Sequence, residues 1–396
     1  MQIMTAQSRA SDASHAIAEI AAALDIGHRG KPDFMTLHFG ANASAEALRL
    51  AATAKLGIPA LHGGSSCLGI MTQAGLNIDT GAGIGAFAIW DAAGSYGTGS
   101  ADLGQDPALA AHHATQAALT AAARPGEVPG LVWLTVAPGC EEQVITSIRA
   151  LIGRETPIVG GSSADNDVSG SWSQFGPLHS HHAGVVVSVL FPSSGVSSAY
   201  QSGYAPTGIS GIVTRVSGRR LYEIDNKPAA QVYHGWTGGA VPMAGPAPQS
   251  ILAAATLWPL GRVTRAISGV PFHLLAHPAM ANPDGSLDLF ADVATGDRLW
   301  QMQGSADSLV ARAGRVAQQA RDDADDDLAG ALVIYCGGCM LAARDRMPEV
   351  QEGINAVLGE VPWLGVFTFG EQGVPTGGQA KHGNLMISCT AFGRAE

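Results

Sequence analysis

The chain has 396 residues, which predicts two or three packed units rather than one ordinary core. Charged residues make up 14% of it, against about a quarter in a typical globular chain, and glycine occurs 51 times, so a tightly packed backbone is expected. The formal net charge is -11 and no block of Lys or Arg occurs, which argues against nucleic acid and anionic membranes as partners.

The beginning of the chain shows no export signal. Asp12 and Glu19 flank or interrupt its only apolar stretch. The longest apolar runs, such as residues 183–191, have the length of a strand, whereas a membrane span needs roughly 18 residues. The cysteines form an odd set without a secretory signal, which predicts reduced thiols and a cytoplasmic location. They are Cys67, Cys140, Cys336, Cys339 and Cys389.

Three segments share one order of predicted elements: an apolar strand, a turn, an amphipathic helix, a short strand that ends in glycine, and another apolar strand. This order indicates an internal repeat. The first segment has these elements at residues 34–39, 44–55, 58–67 and 84–90, the second at 131–136, 141–153, 157–163 and 184–191, and the third at 331–335, 347–358, 362–372 and 384–392.

The connecting segments complete the predicted organisation. An Ala-rich helix covers about residues 107–122, a Gly/Ser/Pro-rich loop covers 192–211 and a hairpin covers 212–224. The predicted fold class is α+β, with two domains of mixed sheets packed around a central ligand cavity. The predicted parts are an N-terminal helical extension (1–30), an N-terminal domain with two repeat copies (31–214) and a C-terminal domain with the third copy (215–396).

The glycine-rich strand ends are the candidate ligand site. They carry no side chains that would block the backbone N–H groups, and converging strand ends are a usual setting for a pocket. The alternative for each glycine is a tight turn or close backbone packing. The candidate ligand-binding residues are Gly63, Gly64, Ser65, Ser66, Cys67, Gly160, Gly161, Ser162, Asp165, Gly370, Glu371 and Gln372.

Two cysteines, Cys336 and Cys339, follow the apolar strand of the third segment. A thiol at a helix N-terminus is stabilised as a thiolate, so a lowered pKa is expected. The pair suits a redox couple, a nucleophile with a resolving partner, or half of a zinc site completed by His382 or Cys67. Small residues in a crowded turn are the plain alternative. Because a second Cys pair is missing, no metal is predicted.

Glu371 and His62 are the candidate acid/base residues. Glu371 follows Gly370 in the third segment, and a buried carboxyl there would serve as acid, base or ligand contact. His62 precedes the first glycine pair and would lie beside the pocket. The remaining clusters, which are expected to lie on the surface, are the histidines 179, 181 and 182 and the aspartates 322, 323, 325, 326 and 327, which lack the spacing of a calcium loop.

Several motifs together resemble the FIST proteins, which combine an N-terminal and a C-terminal FIST domain. The motifs are Gly-Gly-Ser-Ser-Cys-Leu-Gly-Ile-Met-Thr (63–72), Ile-Val-Gly-Gly-Ser-Ser (158–163), Val-Thr-Arg-Val with Leu-Tyr-Glu-Ile-Asp (within 213–225) and Phe-Thr-Phe-Gly-Glu (367–371). The resemblance implies an intracellular sensory module for a small ligand. Many members have Cys-x-x-Arg where this chain has Cys336-Gly337-Gly338-Cys339, which is similar to a subgroup with a second thiol.

The leading hypothesis is therefore a sensor for a small molecule, amino-acid-like or another metabolite, that acts through a separate partner. The resemblance implies a histidine kinase or a cyclic-dinucleotide enzyme as that partner. A second hypothesis is a hydrolase of amide-like or ester-like bonds that uses Cys336 or Cys339 with Glu371 and His62. A third, also implied by the resemblance, is a haem-binding nitric oxide sensor. No cofactor is predicted, and with no haem attachment motif only non-covalent haem stays open.

Overall fold

The computed structural model describes residues 1–243, 245–324 and 327–394. Its strands are β1 (Gln2–Ser8), β2 (Phe34–Gly40), β3 (Leu61–Ser66), β4 (Ile70–Thr72), β5 (Gly75–Asn77), β6 (Ile84–Trp90), β7 (Ser95–Asp102), β8 (Leu131–Val136), β9 (Ile158–Ser162), β10 (Gln174–Phe175), β11 (Ser180–His181), β12 (Gly184–Phe191), β13 (Val196–Ser202), β14 (Ala205–Ser217), β15 (Arg220–Ile224), β16 (Lys227–Pro228), β17 (Gln249–Ser250), β18 (Leu260–Ile267), β19 (Val270–Ala276), β20 (Pro278–Ala281), β21 (Leu287–Leu289), β22 (Arg298–Gln303), β23 (Leu328–Cys336), β24 (Trp363–Thr368), β25 (Glu371–Gly373), β26 (Lys381–Gly383) and β27 (Met386–Gly393). Its α-helices are α1 (Ala13–Ala23), α2 (Ile26–Arg29), α3 (Ala45–Lys55), α4 (Pro107–Ala121), α5 (Glu141–Ile152), α6 (Ala229–Trp236), α7 (Leu252–Ala255), α8 (Ala306–Asp322), α9 (Gly337–Ala342) and α10 (Met347–Leu358), and a 3₁₀ turn covers Arg344–Arg346.

Three six-stranded sheets share one strand order. The first sheet runs β1-β6-β2-β3-β10-β11, the second β7-β12-β8-β9-β25-β26, and the third β13-β27-β23-β24-β4-β5. In each, a parallel pair (β2 with β3, β8 with β9, β23 with β24) lies beside two antiparallel strands on one side and a hairpin on the other. The hairpin always comes from a different part of the chain, so the three sheets interlock.

Local sequence accounts for the helices that cross between the parallel strands. Ser44 begins α3, where its side chain accepts a hydrogen bond from the backbone N–H of Ala47, a standard N-cap. Helix α10 buries Val350, Ile354 and Leu358, which recur at helical spacing and face the sheet. The apolar run of β8 is buried along its whole length, as expected for a strand covered on both faces.

An apolar cluster joins the three sheets at their inner faces. It contains Phe34 and Phe87 of the first sheet, Trp133 of the second, and Ile334 and Leu364 of the third, all buried. The opposite faces of the sheets pack on helices in separate clusters. The chain segment that forms the third sheet is therefore held against the first two by a shared core.

A fourth, nine-stranded sheet contains β14 to β22 and has its own apolar core with α6 and α7. The result is a two-domain α+β architecture, which confirms the predicted fold class. The boundary predicted between residues 214 and 215 lies inside β14. The predicted helical extension is wrong for residues 2–8, because they form β1, which pairs with β6 as an edge strand of the first sheet.

Two clusters were predicted to lie on the surface, one of aspartates and one of histidines. Asp322 ends α8, whereas Asp325 and Asp326 lie outside the described residues. His181 is buried and not on the surface, with Nδ1 2.8 Å from Asp102 Oδ1. Within the ranges that the structure describes, no helix has the length and apolar character that a membrane span requires.

Candidate ligand-binding site

The ends of β3, β9 and β24 meet and bond to one another through the backbone. Each of the three strand ends is linked to the other two, so they form a closed ring of hydrogen bonds. The links run from Cys67 N to Phe367 O (2.9 Å), from Ala164 N to Ser65 O (3.0 Å) and from Ser162 N to Gly370 O (2.7 Å). Two serine side chains strengthen the ring, since Ser66 Oγ accepts from Phe367 N and Ser65 Oγ accepts from Ser173 N.

The glycines of this ring are required by close packing. A Cβ added to Gly63 would lie 2.3 Å from the ring of Phe175, and one added to Gly161 would lie 2.3 Å from Thr368. Gly160 has a φ of +143° and faces the carbonyl oxygen of Leu134. These glycines are therefore explained by close backbone packing, which was the alternative to a role in ligand binding. Gly63, Gly64, Gly160, Gly161 and Gly370 are absent from the lining of the cavity described next.

A cavity of about 380 Å³ lies beside the ring, between the fourth sheet and the end of β23. Its lining is mostly apolar and aromatic, which is typical of small-molecule sites. The lining residues are Val168, Leu252, Ala253, Thr256, Leu257, His277, Phe290, Cys336, Gly338, Leu341, Ala342, Phe369 and Asn384. Of the candidate residues named from the sequence, Cys336 lies in this wall.

Cys336 ends β23 and is the residue that precedes α9. Its Sγ lies close to the backbone N–H groups of Gly338 and Cys339 and to the side chains of Cys339 and Glu371. A lowered pKa was predicted for a thiol at the helix N-terminus. That prediction is wrong, because burial raises the pKa of Cys336 well above its ordinary value. The Cys336 side chain is therefore a neutral thiol at neutral pH.

Two further thiols, those of Cys339 and Cys67, are buried and do not line the cavity. Cys339 is fully buried, and its Sγ lies 3.6 Å from the hydroxyl of Tyr204. Burial raises the pKa of Cys67 to about 12. Within the described ranges, three or more metal-ligating groups come together only at Glu141, Glu142 and His382, so neither Cys67 nor His382 completes a zinc site with the cysteine pair.

Glu371 is buried directly behind Cys336. Its Oε1 accepts from Thr368 Oγ1 at 2.9 Å and its Oε2 accepts from the backbone N–H of Met386 at 2.9 Å. Burial raises the pKa of Glu371 well above its ordinary value, so the neutral form of this carboxyl is favoured relative to a carboxyl in water. It contacts Cys336 and does not reach the cavity surface.

His62 lies in the inner core and not beside the cavity. Its Nδ1 is 2.8 Å from Ser188 Oγ and its Nε2 is 2.7 Å from Thr135 Oγ1. Burial lowers the pKa of His62 well below its ordinary value. With both ring nitrogens bonded inside the core, His62 is a structural residue, and the catalytic role considered for it has no geometric support.

Ser162 and Gln372 belong to a buried polar network on the other side of the ring. Ser162 Oγ donates to Glu141 Oε1 at 2.6 Å, and Gln372 Nε2 lies 3.3 Å from Ser162 Oγ. Burial alone would raise the pKa of Glu141, but His382 and Arg219 outweigh it and lower the value to about 2. Arg219 Nη2 lies 2.6 Å from both Glu141 and Glu142, so an arginine already pairs with the two carboxylates of the group suited to a metal.

Asp165 organises the loop that reaches the mouth of the cavity. Its carboxylate accepts backbone N–H groups of Val168 at 2.5 Å, Gly170 at 2.7 Å and Ser171 at 2.8 Å. Val168 has a φ of +61°, which is strained for a β-branched residue, and lies at the cavity. Asp165 therefore acts on a potential ligand only through the loop.

Sequence reasoning missed His277 and Asn384, two polar residues of the wall. The His277 backbone N–H donates to Asn384 Oδ1 at 3.0 Å, and His277 Nε2 lies 3.1 Å from the carbonyl oxygen of Leu252. Burial lowers the pKa of His277 to about 4. Neither residue stands in a motif. The local signal is an apolar strand, β19, that ends directly at His277.

Comparison with known proteins completes the description of the site. The FIST N domain matches residues 33–227, and the FIST C domain matches residues 229–374. Among solved structures, the crystal structure of cyanuric acid hydrolase from A. caulinodans is 10% identical and covers 100% of this chain and 99% of its own, with a TM-score of 0.37. That similarity is too low to support an inference about this chain. The curated proteins contain no match. The chain belongs to the FIST family, with a FIST N domain followed by a FIST C domain.

Proposed function

We propose that this chain is a small-molecule sensor whose ligand binds in the cavity beside Cys336. The observation that carries the proposal is that both family domains contribute to this one mostly apolar cavity: Val168 belongs to the FIST N domain, and the other lining residues belong to the FIST C region or follow it. FIST domains are associated with small-ligand sensing in signal transduction. A ligand that contacts both domains and binds one arrangement of them more tightly than another shifts the balance between the arrangements, which is what a sensor requires.

The lining favours an uncharged ligand. Among the residues that the structure describes, it contains no Arg, Lys, Asp or Glu, so a charged group would lose its hydration without gaining a partner of opposite charge. That speaks against an amino-acid-like zwitterion and against haem, whose propionates need cations or water. A cytoplasmic location and a histidine kinase or cyclic-dinucleotide enzyme as output partner are parts of the same proposal.

Two short segments of the cavity wall, a loop and a helix, are suited to change position when a ligand binds. The loop at residues 165–171 carries Val168, and the short helix α9 carries Gly338, Leu341 and Ala342. Leu341 lines the cavity and is also 44% exposed, so it lies where the cavity opens to the protein surface. A shift of α9 on ligand binding would thus alter the surface of the protein.

The test uses two neighbouring alanines of α7. Ala253 lines the cavity and Ala254 does not, although both are exposed. Native mass spectrometry of the purified protein should show a bound small molecule that Ala253→Trp removes and Ala254→Trp retains. The absorption spectrum should lack a Soret band. Retention of the ligand by Ala253→Trp, or a wild-type protein that binds nothing from a metabolite extract, would contradict the proposal.

A cysteine-dependent hydrolase is the second candidate, favoured by one observation: Cys336 is in the cavity wall and contacts the carboxyl of Glu371. Its raised pKa opposes nucleophilic attack. A hydrolase would form an acyl adduct on Cys336 with an activated ester such as p-nitrophenyl acetate, and Cys336→Ser would lose the adduct and the turnover.

We expect slow labelling of Cys336 by iodoacetamide at pH 7 that accelerates as the pH rises. Rapid labelling below pH 7 would favour the enzyme.

A further inference from the structure

His277 places a hydrogen-bond acceptor in the wall of the cavity. The Nε2 atom lies 3.1 Å from the Leu252 carbonyl oxygen, and a carbonyl oxygen can only accept, so the ring proton is on Nε2. The Nδ1 atom then carries a lone pair. In the part of the chain that the structure describes, the hydrogen bonds of this side chain all involve Nε2, which leaves Nδ1 available to a ligand.

Asn384 places a donor next to this acceptor. Its Oδ1 is occupied by the backbone N–H of His277, which fixes the orientation of the carboxamide. Its Nδ2 has a long contact of 3.5 Å to the carbonyl oxygen of Phe290, and a carboxamide nitrogen has two protons to donate. The wall therefore presents an acceptor and a donor side by side.

The rest of the surroundings is apolar and aromatic. Phe290 packs edge-on against the His277 ring, with 6.0 Å between the ring centroids, and Phe369 lies in the same wall. Burial keeps His277 neutral at pH 7, since its pKa is lowered to about 4. A neutral donor–acceptor pair in an apolar cavity matches a hydroxyl group, which can donate one hydrogen bond while its oxygen accepts another.

We infer that the cavity selects an uncharged, mainly apolar ligand that carries a hydroxyl group, of the phenol or alcohol class, with the hydroxyl donating to Nδ1 of His277 and accepting from Nδ2 of Asn384. This inference rests on the proposed function, because it assigns the ligand class of the same cavity. It makes His277 the residue that determines specificity.

Three naphthalene probes test the ligand class in the wild-type protein at pH 7. Isothermal titration with 2-naphthol should show binding, whereas 2-methoxynaphthalene, which cannot donate, and 2-naphthoate, which is charged, should bind at least about tenfold more weakly. Equal affinity for 2-naphthol and 2-methoxynaphthalene, tighter binding of 2-naphthoate, or no binding of any probe would overturn the inference. This comparison needs no variant and so does not depend on the folding of a mutant.

Two variants then assign the preference to His277. His277→Leu should lower the affinity for 2-naphthol about tenfold, to the level of 2-methoxynaphthalene, and leave the latter unchanged. His273→Leu is the matched control, because His273 lies on the same strand β19 but outside the cavity lining. Circular dichroism confirms that both variants are folded. Unchanged discrimination in His277→Leu would overturn the role of His277.

The two proposals fail in different ways. If Ala253→Trp abolishes binding of all probes while the wild type does not discriminate among them, the cavity binds ligands and the inference about the hydroxyl is wrong. If Ala253→Trp leaves the binding of 2-naphthol and of the molecule purified with the protein unchanged, the cavity is not the site and both proposals are wrong.

Discussion

Cys336 and Glu371 show how burial raises the pKa of two neighbouring groups. Each would be charged in water near or above neutral pH, but both lie in an apolar region, and each charge would disfavour the other. The donors around Glu371, a backbone N–H from Met386 and the Thr368 hydroxyl, hold the carboxyl in place. Its role is therefore to support the cysteine and the strand β25.

This arrangement predicts a difference between two substitutions of Glu371. Glu371→Gln keeps an acceptor for Met386 N–H and the shape of the side chain, so the free energy of unfolding should fall by less than about 1 kcal/mol at pH 7. Glu371→Ala leaves that N–H buried without a partner and should cost about 1–3 kcal/mol more. Urea denaturation measures both. Equal losses in the two variants would show that the hydrogen bond from the Met386 N–H does not account for the contribution of Glu371 to stability.

The sequence identified Cys336 and Glu371 because both lie in a motif at the end of an apolar strand, where the direction of the chain is predictable. It did not identify His277, because this residue follows a strand of the fourth sheet and reaches the cavity that Cys336 lines only through the packing of that sheet on the third. His62 was misplaced for a related reason: its neighbouring glycines mark close strand packing, and the side chain points into the inner core. Local patterns give no information on such distant contacts.

At the scale of elements, the loop at residues 165–171 is the most direct link between the FIST N domain and the cavity. Its conformation depends on one buried carboxylate, Asp165, which accepts several backbone N–H groups. Charge-assisted hydrogen bonds of this kind are stronger than neutral ones. They hold Val168 in its left-handed conformation at the cavity mouth.

Asp165→Ala should therefore release the loop without unfolding the sheets. We expect hydrogen exchange of the amides at residues 167–171 to accelerate at least about tenfold, as these amides lose a common acceptor. Asp167→Ala is the control, because Asp167 is exposed and accepts only the N–H of Ser169. Hydrogen exchange measured by mass spectrometry compares the two variants. If both variants behave alike, the carboxylate of Asp165 does not hold the loop.

At the scale of the whole molecule, the buried histidines make stability depend on pH. Burial lowers the pKa of His38 and of His277 to about 4 each, from an ordinary value of 6.5. Between these values the unfolded chain binds protons that the folded chain does not, so unfolding becomes easier as the pH falls from about 6.5 to about 4. Each histidine contributes up to about 3 kcal/mol to this loss. Glu371 acts in the opposite direction, because its raised pKa favours the folded state at low pH.

The contribution of one histidine is isolated by substitution. His277→Gln cannot be protonated, so its free energy of unfolding should fall less than that of the wild type between pH 7 and pH 4.5. His28→Gln, at an exposed position, should follow the wild type. Urea denaturation at several pH values gives the slopes. Identical slopes for His277→Gln and the wild type would show that folding does not lower the pKa of His277.

The strands of the three sheets were largely predictable, because their apolar runs are local: residues 131–136 were predicted and form β8, and residues 34–39 lie in β2. The pairing of strands from distant parts of the chain was not predictable. The hairpins β4–β5, β10–β11 and β25–β26 each join a sheet distant in sequence, and β1 joins the first sheet from a segment predicted as helical. Pairings of this kind depend on long-range packing that periodicity does not encode.

A crystal structure of the protein grown with 2-naphthol tests the central claim most directly. The claim is that the ligand site is the apolar cavity beside Cys336 and not the ring of glycine-rich strand ends. The predicted result is electron density for the naphthalene between Phe290 and Phe369, with the hydroxyl within about 3 Å of Nδ1 of His277. Density for the probe among the ends of β3, β9 and β24, or a cavity closed by its own side chains, would contradict the claim.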